Sequence, residues 1–369
     1  MTEAINDFPT DQHGWAELLP TRDKPAPLAE NLWVQWVIVG AGLTGLACAR
    51  RLAELHPEHE ILILDARLVG QGASGRNSGF TVGVSHFPGA FNAKNKANYA
   101  RVNRINQTGV ALLDQQIKAQ AIDCQWDSRG FHHGAADKHS INECANFLGY
   151  LDAMEIAHTA LDQDAMQQRF GTALYKTGVH VKAGGLVQPA SLVRGLADSL
   201  PSNVRLIEQC PVLNIKSARP ITLTTPQGEI ATDKLILATN YEAGKLGFLS
   251  RRLIGSTLSG SFTRRLTPAE LSSLGQHKEW GIISLHSGGA TIRLTVDGRI
   301  CLRNTGEYFG GALLTPEKLQ QRQAVHRASF EKRFPQLTHV PFEYSWSGVE
   351  GISRNGTNFF GAQSENIFL

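Results

Sequence analysis

The stretch Trp36-Val37-Ile38-Val39-Gly40-Ala41-Gly42-Leu43-Thr44-Gly45-Leu46 decides the fold, together with Ile61-Leu62-Ile63-Leu64-Asp65 downstream. Residues 36–39 form a short apolar run rich in β-branched side chains, which predicts a buried parallel strand. A helix to about Leu55 follows, with the apolar stripe Leu43, Leu46, Ala47, Leu52 and Leu55. Residues 61–64 predict a second buried strand with Asp65 at its carboxyl end. The whole is one βαβ unit.

The glycine spacing gives this unit its chemistry. Gly40 lets the chain turn sharply off the strand. Gly42 removes a side chain where a pyrophosphate approaches the backbone, and Gly45 lets the helix pack close to the sheet. The helix N-terminus offers free N–H groups and partial positive charge to phosphates. Asp65 stands where a carboxylate accepts hydrogen bonds from an adenosine ribose, and its charge disfavours a 2′-phosphate. The motif alone implies a dinucleotide, FAD or NAD, and a ligand-free βα turn is the plainer alternative. Gly70-Gln71-Gly72-Ala73-Ser74-Gly75-Arg76-Asn77-Ser78-Gly79-Phe80 begins five residues after Asp65. It supplies a second set of unhindered N–H groups and small hydroxyls, which an extended FAD needs and a flexible surface loop does not.

Outward from this unit, apolar positions at three- and four-residue spacing predict a long amphipathic helix over 96–120, and shorter helices over 142–156 and 191–200. Residues 204–207, 221–225 and 229–237 read as strands. Asp297-Gly298 between two apolar runs signals a hairpin. Thr267-Pro268 and Thr315-Pro316 signal helix starts. The fold class expected is α/β: a Rossmann-type nucleotide-binding domain interleaved with a mixed-sheet second domain.

Composition narrows the function classes. A net charge of +3 without runs of like charge gives no footprint for nucleic acid. No apolar run reaches the ~20 residues that span a bilayer, and the polar leader has no signal-peptide core. Five scattered cysteines with no C-x-x-C suit a reducing compartment, so a cytoplasmic location is expected. Metal is not expected: His132 and His133 are adjacent on an expected strand and point to opposite faces.

Trp15-Ala16-Glu17-Leu18-Leu19-Pro20, the run from Val37 to Leu46, and Gly72-Ala73-Ser74-Gly75-Arg76-Asn77-Ser78-Gly79 resemble the D-amino-acid oxidase superfamily of flavoproteins. Within it they resemble the branch of γ-glutamylputrescine oxidoreductase and related amine oxidases. Gly184-Gly185-Leu186-Val187-Gln188-Pro189, Leu235-Ile236-Leu237-Ala238-Thr239-Asn240 and Trp346-Ser347-Gly348-Val349-Glu350-Gly351 extend the likeness over nearly all of the chain. The resemblance implies FAD and oxidation of a C–N bond of an amine or amino acid, by hydride transfer to the flavin and without an obligatory protein acid or base. It implies cofactor contacts at Gly40, Ala41, Gly42, Leu43, Thr44, Gly45, Asp65, Ala66, Arg67, Gly72, Ala73, Ser74, Arg76, Asn77, Ser78, Gly79, Val212, Ala238 and Thr239. The FAD-binding domain is expected over 34–85, 180–250 and 341–369, the substrate domain over 86–179 and 251–340, with 1–33 as an N-terminal extension.

A substrate carboxylate calls for an arginine, and Arg293 and Arg303 flank the hairpin that in the family faces the flavin. A polyamine-like substrate calls instead for Glu307, Glu343 or Glu350. In the family the last strand runs on into a glycine-rich turn and a helix, whereas this sequence stops at Leu369. That departure implies either a truncated product or a chain that has lost part of its flavin site, and it motivates the alternative of a nucleotide-binding protein with impaired catalysis; an NAD-dependent dehydrogenase on the same βαβ unit is the other alternative.

Overall fold

The structure is a computed structural model, and it describes residues 13–22, 28, 31–275, 279–286 and 289–369. Strand Leu32–Val39 lies between Ile61–Leu64 and Gly228–Leu237, parallel to both, and Val204–Ile207 extends the parallel set. Ile38, Ile61, Ile63, Leu62 and Leu64 are wholly buried, as strands covered on both faces must be. Ile221–Thr225 and Asn214–Lys216 add an antiparallel flank, and Ile367–Phe368 pairs parallel to Gly228–Leu237. Helix Leu43–Leu55 follows the first strand, as the glycine pattern predicts.

The second body is an eight-stranded sheet, ordered Phe342–Ser353, Leu253–Thr263, Ile300–Tyr308, Thr291–Leu294, Trp280–Ser284, Phe131–Ala135, Thr177–Val181 and His158–Asp162. Ile292 and Leu302 on one face pack with Phe330 and Phe334 from the region of helix Pro316–Arg333. Thr291, Arg303, Gly260 and Trp346 are aligned in register across four strands and so share the opposite face. That face looks toward the nucleotide-binding half.

One expected helix shifts. The helix expected over 142–156 is Lys138–Ala153, because Asp137 and Ser140 cap it reciprocally, Ser140 N–H donating to Asp137 Oδ1 at 2.8 Å. Strand Phe342–Ser353 pairs along its length with Leu253–Thr263, so it is part of the large sheet. The expected extension 1–33 lies partly outside the described residues, but His13, Gly14 and Trp15 within it are buried. Trp15 is wholly buried, edge-on to Phe262 at 4.7 Å, and its carbonyl accepts from Gln188 Nε2 at 2.8 Å. A Cβ on Gly14 would stand 2.7 Å from the Trp346 ring. The segment packs between the large sheet and the helices Ala73–Arg76 and Pro189–Asp198.

Candidate functional site: a dinucleotide cavity against the large sheet

The turn after the first strand has the geometry a dinucleotide requires. Gly40 has φ +105°, and a Cβ there would lie 2.5 Å from the Ala238 carbonyl oxygen. A Cβ on Gly45 would lie 1.8 Å from Gly40 O, so helix and strand approach as closely as backbone allows. The helix starts at Gly42 with no side-chain cap, leaving its first N–H groups open, although Leu43 N–H donates to Ser74 Oγ at 3.1 Å. Asp65 accepts from Ala41 N–H at 2.7 Å and from Arg67 N–H at 2.9 Å. Burial is the main influence on its carboxyl and lifts its pKa to about 6, while the two N–H donors pull it back.

A cavity of about 1110 Å³ runs from this turn to the end of strand Phe342–Ser353. Gly40, Ala41, Gly42, Leu43, Thr44, Asp65, Ala66, Arg67, Gly72, Ala73, Ser74, Arg76, Val212, Ala238 and Thr239 all line it. Thr239 Oγ1 is buried without a hydrogen-bond partner, a vacancy in hydrogen bonding that a ligand hydroxyl or phosphate oxygen would fill. The volume, the uncapped helix start, Asp65 and this hydroxyl together fit FAD. Gly45, Asn77, Ser78 and Gly79 do not line the cavity. Gly45 sets the helix–strand approach, and Asn77 closes the loop by accepting from Gly79 N–H at 2.8 Å.

Arg76 ties this cavity wall to the large sheet. Its Nε donates to Gln71 O at 2.6 Å and its Nη1 to Ser347 O at 3.0 Å. Trp346 Nε1 returns a hydrogen bond to Arg76 O at 3.0 Å. Asn240, at the end of the Gly228–Leu237 segment, has φ +54°. It clamps the same sheet strand, with Nδ2 donating to Val349 O at 3.2 Å and Oδ1 accepting from Gly351 N–H at 2.8 Å.

The structure places Arg293 away from the cavity lining. Its side chain is 0% exposed and its guanidinium donates to Glu279 at 2.8 Å and to Val187 O at 2.5 Å, above the Trp15 ring. The Ser78 and Gly79 carbonyls complete the set, so this arginine supports the loop from below. Arg303 is mostly buried on the face turned to the nucleotide half; burial depresses its pKa, and Glu350 partly offsets the effect. Among the described residues its guanidinium makes no hydrogen bond, and it does not line the cavity. Of the candidate carboxylates, Glu307 is held by Arg322 at 2.5 Å and Glu343 is paired with Arg299. Glu350 lines the cavity. The sequence reading missed Tyr241 and Phe359 in the cavity wall, since nothing in their local pattern distinguishes them from surface aromatics; Phe360, which with Gly361 belongs to the family-like segment near the chain end, lines it too.

Among the described residues, His56, Glu58 and His59 bring three metal-type ligands together. Trp36 Nε1, which can only donate, gives its hydrogen to His59 Nδ1 at 3.1 Å. The neutral ring therefore carries its proton on Nε2, facing Glu58, and has no lone pair left there for a metal. His132 packs on Phe170 and His133 on Phe147, on opposite sides of their strand. No helix among the described residues is long and apolar enough to cross a membrane.

Comparison with known proteins agrees with the cavity. The chain is 26% identical to γ-glutamylputrescine oxidoreductase of Escherichia coli, covering 97% of this chain and 84% of that protein. It is 23% identical to a probable oxidoreductase of Haemophilus influenzae, covering 93% and 79% of the two chains. Glycine oxidase of Geobacillus kaustophilus shares its fold with a TM-score of 0.73 at 20% identity, over 92% of this chain and 88% of that one. L-amino acid deaminase of Proteus myxofaciens does so with a TM-score of 0.72 at 14% identity, over 95% and 87%. The family profile described as FAD dependent oxidoreductase matches residues 35–369, and the chain belongs to that family of FAD-dependent oxidoreductases.

Proposed function

We propose that the protein oxidises a C–N bond of a small amine or amino acid to an imine. The observation that carries this reading is the continuity of one cavity, from the phosphate-type turn at Gly40 to Glu350 on the large sheet. An extended FAD and a small substrate both fit along such a path. The names of relatives support the C–N chemistry: γ-glutamylputrescine oxidoreductase, glycine oxidase and L-amino acid deaminase.

Bound FAD supplies the acceptor for the two electrons. The substrate C–H bond breaks with its electron pair leaving as hydride, the nitrogen lone pair forms the C=N bond, and the nitrogen proton passes to water. The amine must therefore be neutral when it reacts. The protein holds and orients: the uncapped helix at Gly42 faces phosphates, Asp65 accepts ribose hydroxyls, and the Arg76–Ser347 and Asn240–Val349 bonds keep the large sheet against the cavity. The wall contributed by Leu253, Leu313 and Val349 limits water.

The test is an absorbance spectrum of protein supplied with FAD, followed anaerobically across a panel of amines and amino acids. Bound flavin that bleaches with members of the panel is the expected result. No flavin uptake, or flavin that no C–N substrate bleaches, overturns the reading. Peroxide formation on admitting air tells oxygen from another acceptor.

A further inference from the structure

We infer that Glu350 determines substrate choice at this site and selects amines that carry a second positive charge, such as alkyl diamines. The inference rests on the amine-oxidising function proposed above. On strand Phe342–Ser353 the side chains of Trp346, Gly348 and Glu350 fall on one face. Trp346 hydrogen-bonds Arg76 O, and a Cβ on Gly348 would lie 3.5 Å from Arg76 Cβ, so this face meets the nucleotide-binding half. Two residues further on, Glu350 projects from the same face and lines the cavity.

Its carboxylate touches no cation directly, although Arg303 feels its charge. Glu208, Glu279, Glu307 and Glu343 are each paired with an arginine. Glu350 is exposed, and among the described residues it forms neither an ion pair nor a hydrogen bond. Its backbone, by contrast, is held. Asn240 binds the carbonyl of Val349 and the N–H of Gly351, the residues on either side. A left-handed backbone at Asn240 persists where the surroundings demand it. The clamp presents one carboxylate to the cavity from a fixed strand position, as a recognition group requires.

The charge balance separates an amine from an amino acid. Arg303 lies on the same face of the large sheet, does not line the cavity, and feels Glu350 electrostatically. A substrate carboxylate in this cavity shares it with the Glu350 carboxylate, and like charges repel. The reacting nitrogen must be neutral to give up hydride, so the ammonium that Glu350 holds belongs to a second nitrogen on the substrate. Tyr241, Phe359 and Phe360 line the same cavity and offer aromatic faces to an alkyl chain or its cationic end.

The experiment uses the full chain loaded with FAD, comparing an alkyl diamine with the monoamine of equal chain length. Wild type is expected to favour the diamine in kcat/KM by about 10- to 100-fold, as one charge-assisted hydrogen bond provides. Glu350→Gln brings that ratio close to one, and Glu350→Asp, which keeps the charge, retains part of it. Calorimetry with a diamine whose α-carbons bear methyl groups in place of hydrogens gives a readout without turnover; Glu350→Gln weakens its binding by about tenfold or more. Equal use of diamine and monoamine by wild type, a ratio untouched by Glu350→Gln, or preference for amino acids overturns the inference. Flavin that no substrate bleaches defeats the proposed function instead, and calorimetry still decides whether Glu350 binds the dication.

Discussion

Arg293 and Glu279 form a buried ion pair, 2.8 Å apart with side chains 0% and 9% exposed, beneath the loop that carries Gly79. Burial raises the Glu279 carboxyl pKa, and Arg293 opposes that rise. Removing one partner strands the other charge without water. Glu279→Ala is expected to cost about 3–5 kcal/mol in urea denaturation. Arg293→Met combined with Glu279→Leu should recover much of it, because a matched apolar pair removes both desolvation penalties. Recovery no better than the single variant would show that the carbonyl contacts of Arg293 matter more than its charge.

Gly45 and Gly72 offer a contrast between folding and binding. Alanine at Gly45 puts a methyl group 1.8 Å from Gly40 O, so Gly45→Ala should lower the melting temperature sharply and lose FAD. At Gly72 a Cβ meets nothing within 4 Å and φ is −81°. Gly72→Ala should melt like wild type, yet bind FAD less tightly because Gly72 lines the cavity. Thermal melts with and without FAD separate the two.

Asp65 gives the cofactor-free protein a pH signature. Its pKa is raised from 3.8 to about 6, so the folded state takes up a proton more readily than the unfolded chain. Its contribution to stability is full below about pH 4 and lost as pH rises through about 6, at most about 3 kcal/mol and less where cavity water screens the charge. Asp65→Asn should flatten this part of the melting-temperature profile. It should also weaken FAD binding, since the amide offers the ribose one acceptor fewer.

Trp15 should behave as a core residue despite its place near the chain start. Trp15→Ala is expected to cost about 3–5 kcal/mol, with a loss of flavin binding that follows from the disturbed Arg293 over its ring. A change below about 1 kcal/mol in chemical denaturation would argue against this packing.

The local parts of this molecule were legible from sequence. The βαβ unit, the hairpin at Gly298 with φ +82°, and the helices beginning at Pro268 and Pro316 are written in short-range glycine, proline and cap signals. What escaped depends on distant pairing. Strand Phe342–Ser353 belongs to the large sheet because it finds Leu253–Thr263, and no short window records that partner. Arg293 is visible as a charge, but whether it meets substrate or Glu279 depends on tertiary geometry. Glu350 stood level with Glu307 and Glu343 until Arg322 and Arg299 were seen to occupy the other two.

The packing of residues 13–22 also constrains how the chain can come to be folded. Trp15 packs on Phe262 and lies in one apolar cluster with Trp346, so its resting place is built from residues made hundreds of positions later. During synthesis Trp15 can reach its resting place only after Phe262 and Trp346 have been made. The packing of Trp15 therefore joins parts of the chain that lie far apart in sequence. Such long-range closure predicts slow refolding, and a dependence on chaperones during synthesis, that neither sheet topology alone would impose.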